Sequence, residues 1–86
     1  MIEIYYSSKF VREYKTFPKE IKEKAKFAEK IFRQNPFHSK LETHKLGSKL
    51  NWGWSFSIDK NYRIIFEFQK KNIIWFHSVG DHSIYR

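Results

Sequence analysis

Residues 54–68 read WSFSIDKNYRIIFEF, and this stretch decides the fold. Apolar and polar side chains alternate on both sides of the central Asp59-Lys60-Asn61, which is typical of two half-buried strands joined by a tight turn. The first of these strands begins at Trp52, as WGWSFSI, so the apolar set of the hairpin is Trp52, Trp54, Phe56, Ile58, Tyr62, Ile64, Phe66 and Phe68. We therefore expect an antiparallel pair of strands with one face turned towards a core.

The flanking patterns complete the order of elements. Residues 2–6 (IEIYY) and 72–80 (NIIWFHSVG) favour strands, whereas residues 8–17 and 18–34 have the apolar spacing of two helices. The second helix places four small or apolar residues on one stripe: Ile21, Ala25, Ala28 and Phe32. Residues 36–51 are polar and predict a long loop with one helical turn. The prediction is an α+β fold in the order β-α-α-β-β-β, in which a helical hairpin packs on one face of a mostly antiparallel, four-stranded sheet.

Length and composition indicate one small, basic domain spanning residues 1–86. The 17 Lys and Arg exceed the 9 Asp and Glu, which gives a net charge of +8 and favours a polyanionic partner such as nucleic acid. Solubilisation of a helical face is the alternative explanation of this charge. The absence of cysteine excludes disulfides and thiolate zinc sites. Without a signal-peptide pattern, or an apolar run of about 18 residues, we expect a soluble cytoplasmic domain.

The strand alternation also places Arg63. If the apolar set faces the helices, Arg63 points to the opposite, uncovered face together with Ser55 and Ser57. A planar guanidinium between small hydroxyl residues suits bidentate binding of a phosphate. An ion pair with Glu67, two residues further along the same face, is the alternative.

Four short motifs follow one another in the second half of the chain. They are HKLG at 44–47, WSFSI at 54–58, NYRIIFEF at 61–68 and SVGDHSIYR at 78–86. Together they resemble the RelE/ParE toxin superfamily, and within it the RelE/StbE or YafQ-like branch. The resemblance covers essentially the whole chain in element order and is most specific over residues 44–86.

This resemblance implies a toxin of a bacterial type II toxin–antitoxin system. Such a toxin enters the ribosomal A site, with contacts to mRNA and rRNA, and acts as an endoribonuclease that cuts mRNA through attack of the 2′-hydroxyl. The resemblance also implies a cognate antitoxin in a hetero-oligomeric complex, with no metal or other cofactor and no membrane. The antitoxin would order an acidic or amphipathic segment on binding, which either covers the basic groove or displaces the C-terminal residues.

Cleavage of this kind needs a base for the 2′-hydroxyl, a cation for the phosphorane and an acid for the leaving 5′-oxygen. Position by position, the resemblance implies catalytic roles for His44, Arg63 and His82. We favour His44 as the base and His82 as the acid, and the reverse order stays open. RNA binding is implied for Lys45, Lys49, Tyr85 and Arg86.

Two other functions remain possible from the sequence. ParE-type toxins of the same superfamily poison DNA gyrase without nuclease activity, and a basic RNA-binding module would need no catalysis. The presence of His44 and His82 together with Arg63 favours the nuclease. Trp54 and His77 are expected in the core, with His77 hydrogen-bonded there, and His38 is expected in a loop.

Overall fold

The computed structural model describes residues 2–47 and 50–81. Five strands, two α-helices and one 3₁₀ turn follow one another in these residues. In chain order they are β1 (Glu3–Tyr6), α1 (Ser8–Lys15), α2 (Lys19–Gln34), the 3₁₀ turn (Ser39–Leu41), β2 (His44–Lys45), β3 (Trp54–Ser57), β4 (Arg63–Lys70) and β5 (Ile73–Gly80). The predicted α+β class is confirmed, as is the helical turn expected between residues 36 and 51.

The five strands form one sheet in the order β1-β5-β4-β3-β2. β1 runs parallel to β5, and the other neighbouring pairs are antiparallel. The sequence predicted four strands, because the two residues of β2 are too few to show a period of two. β2 adds an edge strand beside β3 and brings His44 into the sheet.

Local signals in the sequence explain where the helices begin and end. The Ser7 side chain caps α1 by accepting a hydrogen bond from the backbone N–H of Phe10, at 2.9 Å. α2 follows Pro18 and ends before Asn35-Pro36, as predicted. Within the described part of the chain, no helix has the length and apolarity needed to cross a membrane.

The core is a cluster of aromatic rings between α2 and the sheet. Phe32 of α2 packs against Phe56, Phe66 and Phe76, with ring centroids 4.7, 4.9 and 5.5 Å apart. All four rings are fully buried. The predicted stripe of α2 is the stripe that is buried: Ile21, Ala25, Ala28 and Phe32. This packing holds the helices on one face of the sheet, and we call the face turned away from them the distal face.

The distal face is more covered than the sequence predicted. Ile65 of β4 lies on it, opposite Ser55, yet only 2% of Ile65 and none of Ser55 is exposed. Gly53 provides part of this cover, because its backbone lies close to Ile65 and Leu46. A Cβ added at Gly53 would be 3.6 Å from a methyl carbon of each of these side chains. The expectation of an uncovered face is therefore wrong around Ile65, since residues just before β3 close over it.

Replacing Phe32 with alanine should remove the centre of the core. We expect Phe32→Ala to lower the free energy of unfolding by about 3–5 kcal/mol, a large part of the stability of a small domain. Urea denaturation monitored by circular dichroism measures this loss. The matched control is Phe27→Ala on the same helix, where the ring is 61% exposed and the expected change is within about 0.5 kcal/mol. Equal losses in the two variants would contradict this description of the core.

Candidate active site

One end of the sheet brings together residues from four segments. Ser57 at the end of β3 lies opposite Arg63 at the start of β4, and Arg63 lies opposite Gly80 at the end of β5. His44 of β2 lies opposite Ser55. Directly paired residues share a face of a sheet, as do residues two apart on one strand, so His44, Ser57 and Arg63 all lie on the distal face.

A short chain of hydrogen bonds holds the guanidinium of Arg63. Its Nη1 donates to Ser57 Oγ at 2.6 Å, and Ser57 Oγ donates to Glu42 Oε1 at 3.2 Å. Ser57 is nearly buried and Arg63 is half-buried. In the described part of the chain, this bond occupies one of the five N–H donors of Arg63, which leaves donors for an anion. The alternative pairing with Glu67 is not formed, because Glu67 contacts His77 at 3.0 Å.

Glu42 also orients His44. Its backbone has a φ of 49°, in the left-handed region that residues other than glycine seldom adopt. The carbonyl oxygen of Glu42 lies 3.1 Å from Nδ1 of His44. Because a carbonyl oxygen only accepts hydrogen bonds, this contact requires the proton on Nδ1 and leaves Nε2 as the acceptor of a neutral ring. Such a tautomer is suited to a general base.

The separation between His44 and Arg63 follows from the sheet register. They are two strands apart across the sheet and two residues apart along it, which places their Cα atoms about 12 Å from each other. Both side chains are long enough to extend towards a group bound between them. The distal face thus brings together two of the three predicted catalytic residues around the hydroxyls of β3.

Of the other predicted site residues, the structure describes Lys45. Lys45 follows His44 and so points to the opposite face of β2, where its Nζ lies 5.4 Å from the ring centre of Trp54. Trp54 packs against the core, as predicted. Four predicted residues lie outside the described residues: Lys49, His82, Tyr85 and Arg86. In the sequence, His82 comes two residues after Gly80, the partner of Arg63.

Sequence reasoning missed Glu42 and misplaced Trp52 and His77. Trp52 was expected on the apolar face of the strand, but it lies before β3, is 41% exposed and contacts His77. Glu42 has no periodic neighbours, and only its position two residues before His44 could have indicated a role. His77 was expected inside the core, but its side chain is 34% exposed on the distal face and pairs with Glu67. This prediction is wrong because β4 and β5 shift register between Ile65 and Phe66, so that β5 has one extra residue there.

The turn between β3 and β4 fixes the pairing of Ser57 with Arg63. Asp59 Oδ1 accepts hydrogen bonds from the backbone N–H groups of Asn61 and Tyr62, at 2.8 and 2.9 Å. Lys24 lies 3.5 Å from the same carboxylate. Partial burial raises the pKa of Asp59, but the two backbone hydrogen bonds and the Lys24 ammonium outweigh it, so the pKa of Asp59 is lowered overall.

No group of three potential metal-ligating side chains occurs in residues 2–47 and 50–81.

Neither a protein-family model nor a curated protein matches the chain. Solved structures do match. YafQ from E. coli strain BL21(DE3) superposes with a TM-score of 0.80 at 19% identity, over 99% of this chain and 98% of YafQ.

Two further solved structures have the same fold. YoeB in a heterotetrameric YoeB–YefM toxin–antitoxin complex from Staphylococcus aureus matches with a TM-score of 0.77 at 23% identity, over 95% of this chain and 98% of that one. A YoeB/ParE toxin from Agrobacterium tumefaciens matches with a TM-score of 0.78 at 13% identity, over 94% and 99% of the two chains.

These structures define the class of fold. The chain has the RelE-like fold that YafQ and YoeB share, with two helices on a mixed five-stranded sheet. The sequence-based prediction of a RelE-like fold is confirmed.

Removing the carboxylate of Asp59 should destabilise the turn beside Arg63. We expect Asp59→Ala to cost about 1–2 kcal/mol at pH 7, because two backbone N–H groups lose their acceptor. Asp59→Asn keeps that acceptor and should cost less than about 1 kcal/mol, the contribution of the charge. Urea denaturation at several pH values measures both losses.

The pH dependence has a definite sign. Because the folded-state pKa of Asp59 is lowered, its charge stabilises the fold above the unfolded-state pKa, and this contribution is lost as the pH falls through the folded-state value. The difference between the natural chain and Asp59→Asn should therefore be constant above about pH 5 and shrink below about pH 4. A difference that grows on acidification would contradict the lowered pKa.

Proposed function

We propose that this chain is the toxin of a type II toxin–antitoxin system and that it acts as a metal-independent endoribonuclease on mRNA at the ribosome. The observation that carries the proposal is the placement of Arg63 and His44 on the distal face, on either side of the serines of β3. The RelE-like fold and the net charge of +8 support the same function.

In this proposal the two described residues have separate tasks. Nε2 of His44 accepts the proton of a ribose 2′-hydroxyl, since Nδ1 is engaged by the carbonyl of Glu42. The 2′-oxygen attacks the adjacent phosphorus, and Arg63 stabilises the extra negative charge of the phosphorane. Ser57 and Glu42 keep the guanidinium in place.

The bond from phosphorus to the 5′-oxygen then breaks. His82, which lies outside the described residues, is proposed to give its proton to that oxygen. The products are a 2′,3′-cyclic phosphate and a 5′-hydroxyl. Tyr85 is proposed to position a base, and Lys49 and Arg86 to hold phosphates. The side chain of Lys45 lies on the face opposite to His44, but β2 is an edge strand. Lys45 is therefore proposed to contact the RNA backbone where it passes the edge of the sheet.

Cleavage assays on Arg63 variants test this proposal. We expect Arg63→Ala to slow mRNA cleavage in a translating bacterial extract by about 10²-fold or more, because the phosphorane loses its cation. His44→Ala should slow it by about 10²–10⁴-fold. Primer extension measures the breaks. The matched control is Arg12→Ala on α1, an exposed arginine of the helical layer, which should cut at the rate of the natural chain.

The same experiment separates the nuclease from its alternatives. Intact mRNA in the extract, combined with trapped cleaved DNA in a gyrase assay, would replace the nuclease with gyrase poisoning. Growth arrest that persists after Arg63→Ala and His82→Ala are combined, with circular dichroism unchanged, would indicate an RNA-binding module that does not cut. Codon-spaced breaks that depend on Arg63 and His44 support the nuclease.

We also propose a protein partner, an antitoxin, whose docking site is a groove between α1 and α2. This inter-helix groove encloses about 510 Å³. Its apolar surface comes from Tyr6, Phe10, Val11, Tyr14, Ala25 and Ile64. The YoeB of S. aureus was solved with its antitoxin YefM, and E. coli YafQ was solved in a complex with DinJ.

The charges around the inter-helix groove favour an acidic partner. Lys15, Lys22 and Lys26 line it and form no ion pair with the described residues. The acid at the groove, Glu29, is already engaged, because it pairs with Arg33 at 3.2 Å and accepts a 2.6 Å hydrogen bond from Tyr6. Burial and this hydrogen bond raise the pKa of Tyr6 to about 12, so the phenol stays a donor to Glu29. An amphipathic, acidic segment fits such a surface.

A negative charge inside the groove should weaken binding of the antitoxin. We expect Val11→Glu to reduce binding of the antitoxin at least about tenfold, because an acidic apolar segment would meet a like charge where it needs an apolar contact. Co-expression of the chain with its flanking reading frames, scored by growth rescue and co-purification, measures this. Phe27→Glu, at an exposed site outside the groove, is the control. Equal rescue of both variants would place the partner elsewhere.

A further inference from the structure

Three aromatic rings form a stack on the distal face, away from Arg63. Trp75 and His77 of β5 lie nearly parallel, with centroids 5.7 Å apart and an interplanar angle of 22°. The indole of Trp52 lies 4.5 Å from His77 on a tilted plane. We call Trp52, Trp75 and His77 the aromatic shelf. None of these residues belongs to the proposed catalytic set.

The fold holds the middle ring of the shelf in a fixed orientation. The extra residue of β5 lies where Ile65 pairs with Ser78 and Phe66 pairs with Phe76, so His77 has no direct partner and its side chain joins the distal face. Glu67 then fixes the imidazole by a 3.0 Å contact to Nε2. The register shift and the Glu67 carboxylate together orient His77 at the surface. The packing of the core does not require either feature.

The outer end of the shelf is open. Trp52 is 41% exposed, so part of its indole is accessible to a ligand. At the inner end, the indole N–H of Trp75 is buried and has no hydrogen-bond acceptor among residues 2–47 and 50–81. Unsatisfied buried donors are uncommon in native proteins and are a sign of groups kept for a reason other than stability.

The side chains of the shelf are suited to binding a nucleobase and not a phosphate. The charged group beside the shelf is the carboxylate of Glu67, which would repel a phosphate but can accept hydrogen bonds from the amino and imino groups of a nucleobase. Indole faces are also the usual stacking partners of unpaired bases. The cationic Arg63, in contrast, lies at the end of the same face.

The distance between the two features matches a single RNA strand. Glu67 follows Arg63 by four residues of β4, which corresponds to about 13 Å along the strand. This span corresponds to about two nucleotides of an extended single strand. A strand with one phosphate at Arg63 therefore has a base within reach of Trp52.

We propose that the aromatic shelf binds one unpaired nucleobase of the RNA substrate, stacked on the exposed face of Trp52, about two nucleotides from the phosphate at Arg63. This inference rests on the proposed function, and it adds the residue that positions the substrate. Glu67 and His77 line the edge of the bound base and are the groups that discriminate between bases.

Abasic substitution tests the shelf. The probes are dye-labelled RNA hexanucleotides with 2′-O-methyl riboses, which cannot be cut, and each base in turn is replaced by an abasic site. Fluorescence anisotropy measures binding to the natural chain, Trp52→Ala, Trp52→Phe and the control Phe27→Ala, whose exposed ring lies on α2. Thermal unfolding of each variant checks that the fold is kept.

We expect one or two abasic positions to weaken binding by the natural chain about tenfold. Trp52→Ala should bind the intact RNA about tenfold more weakly and lose its sensitivity to those positions, whereas Trp52→Phe and Phe27→Ala keep that sensitivity. An unchanged abasic profile in Trp52→Ala would overturn the shelf, and a general loss of stability would not imitate the selective effect.

The outcomes separate this inference from the nuclease. Cleavage in the extract by the natural chain, with an abasic profile that does not depend on Trp52, overturns the shelf alone. A profile that depends on Trp52, without cleavage in the extract, supports the shelf and overturns the nuclease. Failure of the natural chain to bind any hexanucleotide overturns the shelf, and the extract assay then decides the nuclease separately.

Discussion

The pairing register of β3 with β4 is the constraint on which both the core and the site depend. It sets Ser57 opposite Arg63, where they form a 2.6 Å hydrogen bond, and it sets Phe56 opposite Ile64 on the face of the helices. Side chains alternate along a strand, so a shift by one residue would exchange the two faces. It would expose the aromatic core and bury a guanidinium. The register that packs the core therefore also fixes the position of Arg63.

Much of this was predictable because it depends on local pattern. The alternation in residues 54–68 indicates both strands and the face of Arg63, and the stripe from Ile21 to Phe32 indicates the buried side of α2. Breaks at Pro18 and at 35–36 mark the helix ends. Periodicity predicts these elements because each one buries one continuous face. The residues that determine which face is buried are near one another in the sequence.

The parts that sequence reasoning missed depend on contacts between distant segments. β2 exists because His44 and Lys45 meet β3, not because two residues favour a strand. The exposure of His77 comes from the register shift between β4 and β5. Glu42 acts through its carbonyl on one neighbour and through its carboxylate on Ser57, and neither bond leaves a sequence period. Irregular backbone positions such as these are typical of functional sites.

The layered fold also constrains how a partner could neutralise the proposed nuclease. The inter-helix groove and the distal face lie on opposite sides of the sheet, and Ile64 at the floor of the groove is the chain neighbour of Arg63. A segment that fills only the groove would leave His44 and Arg63 open to RNA. In the proposed complex the lysines of the groove would supply affinity for an acidic segment but would not block the distal face. Inhibition would then need either a continuation of the partner around an edge of the sheet or a shift of β4 transmitted through Ile64. The first requires no deformation of a packed core, and a close-packed interior resists the second. A partner that anchors in the groove and extends past the edge strand β2 towards His44 satisfies both the charge pattern and the rigidity of the sheet.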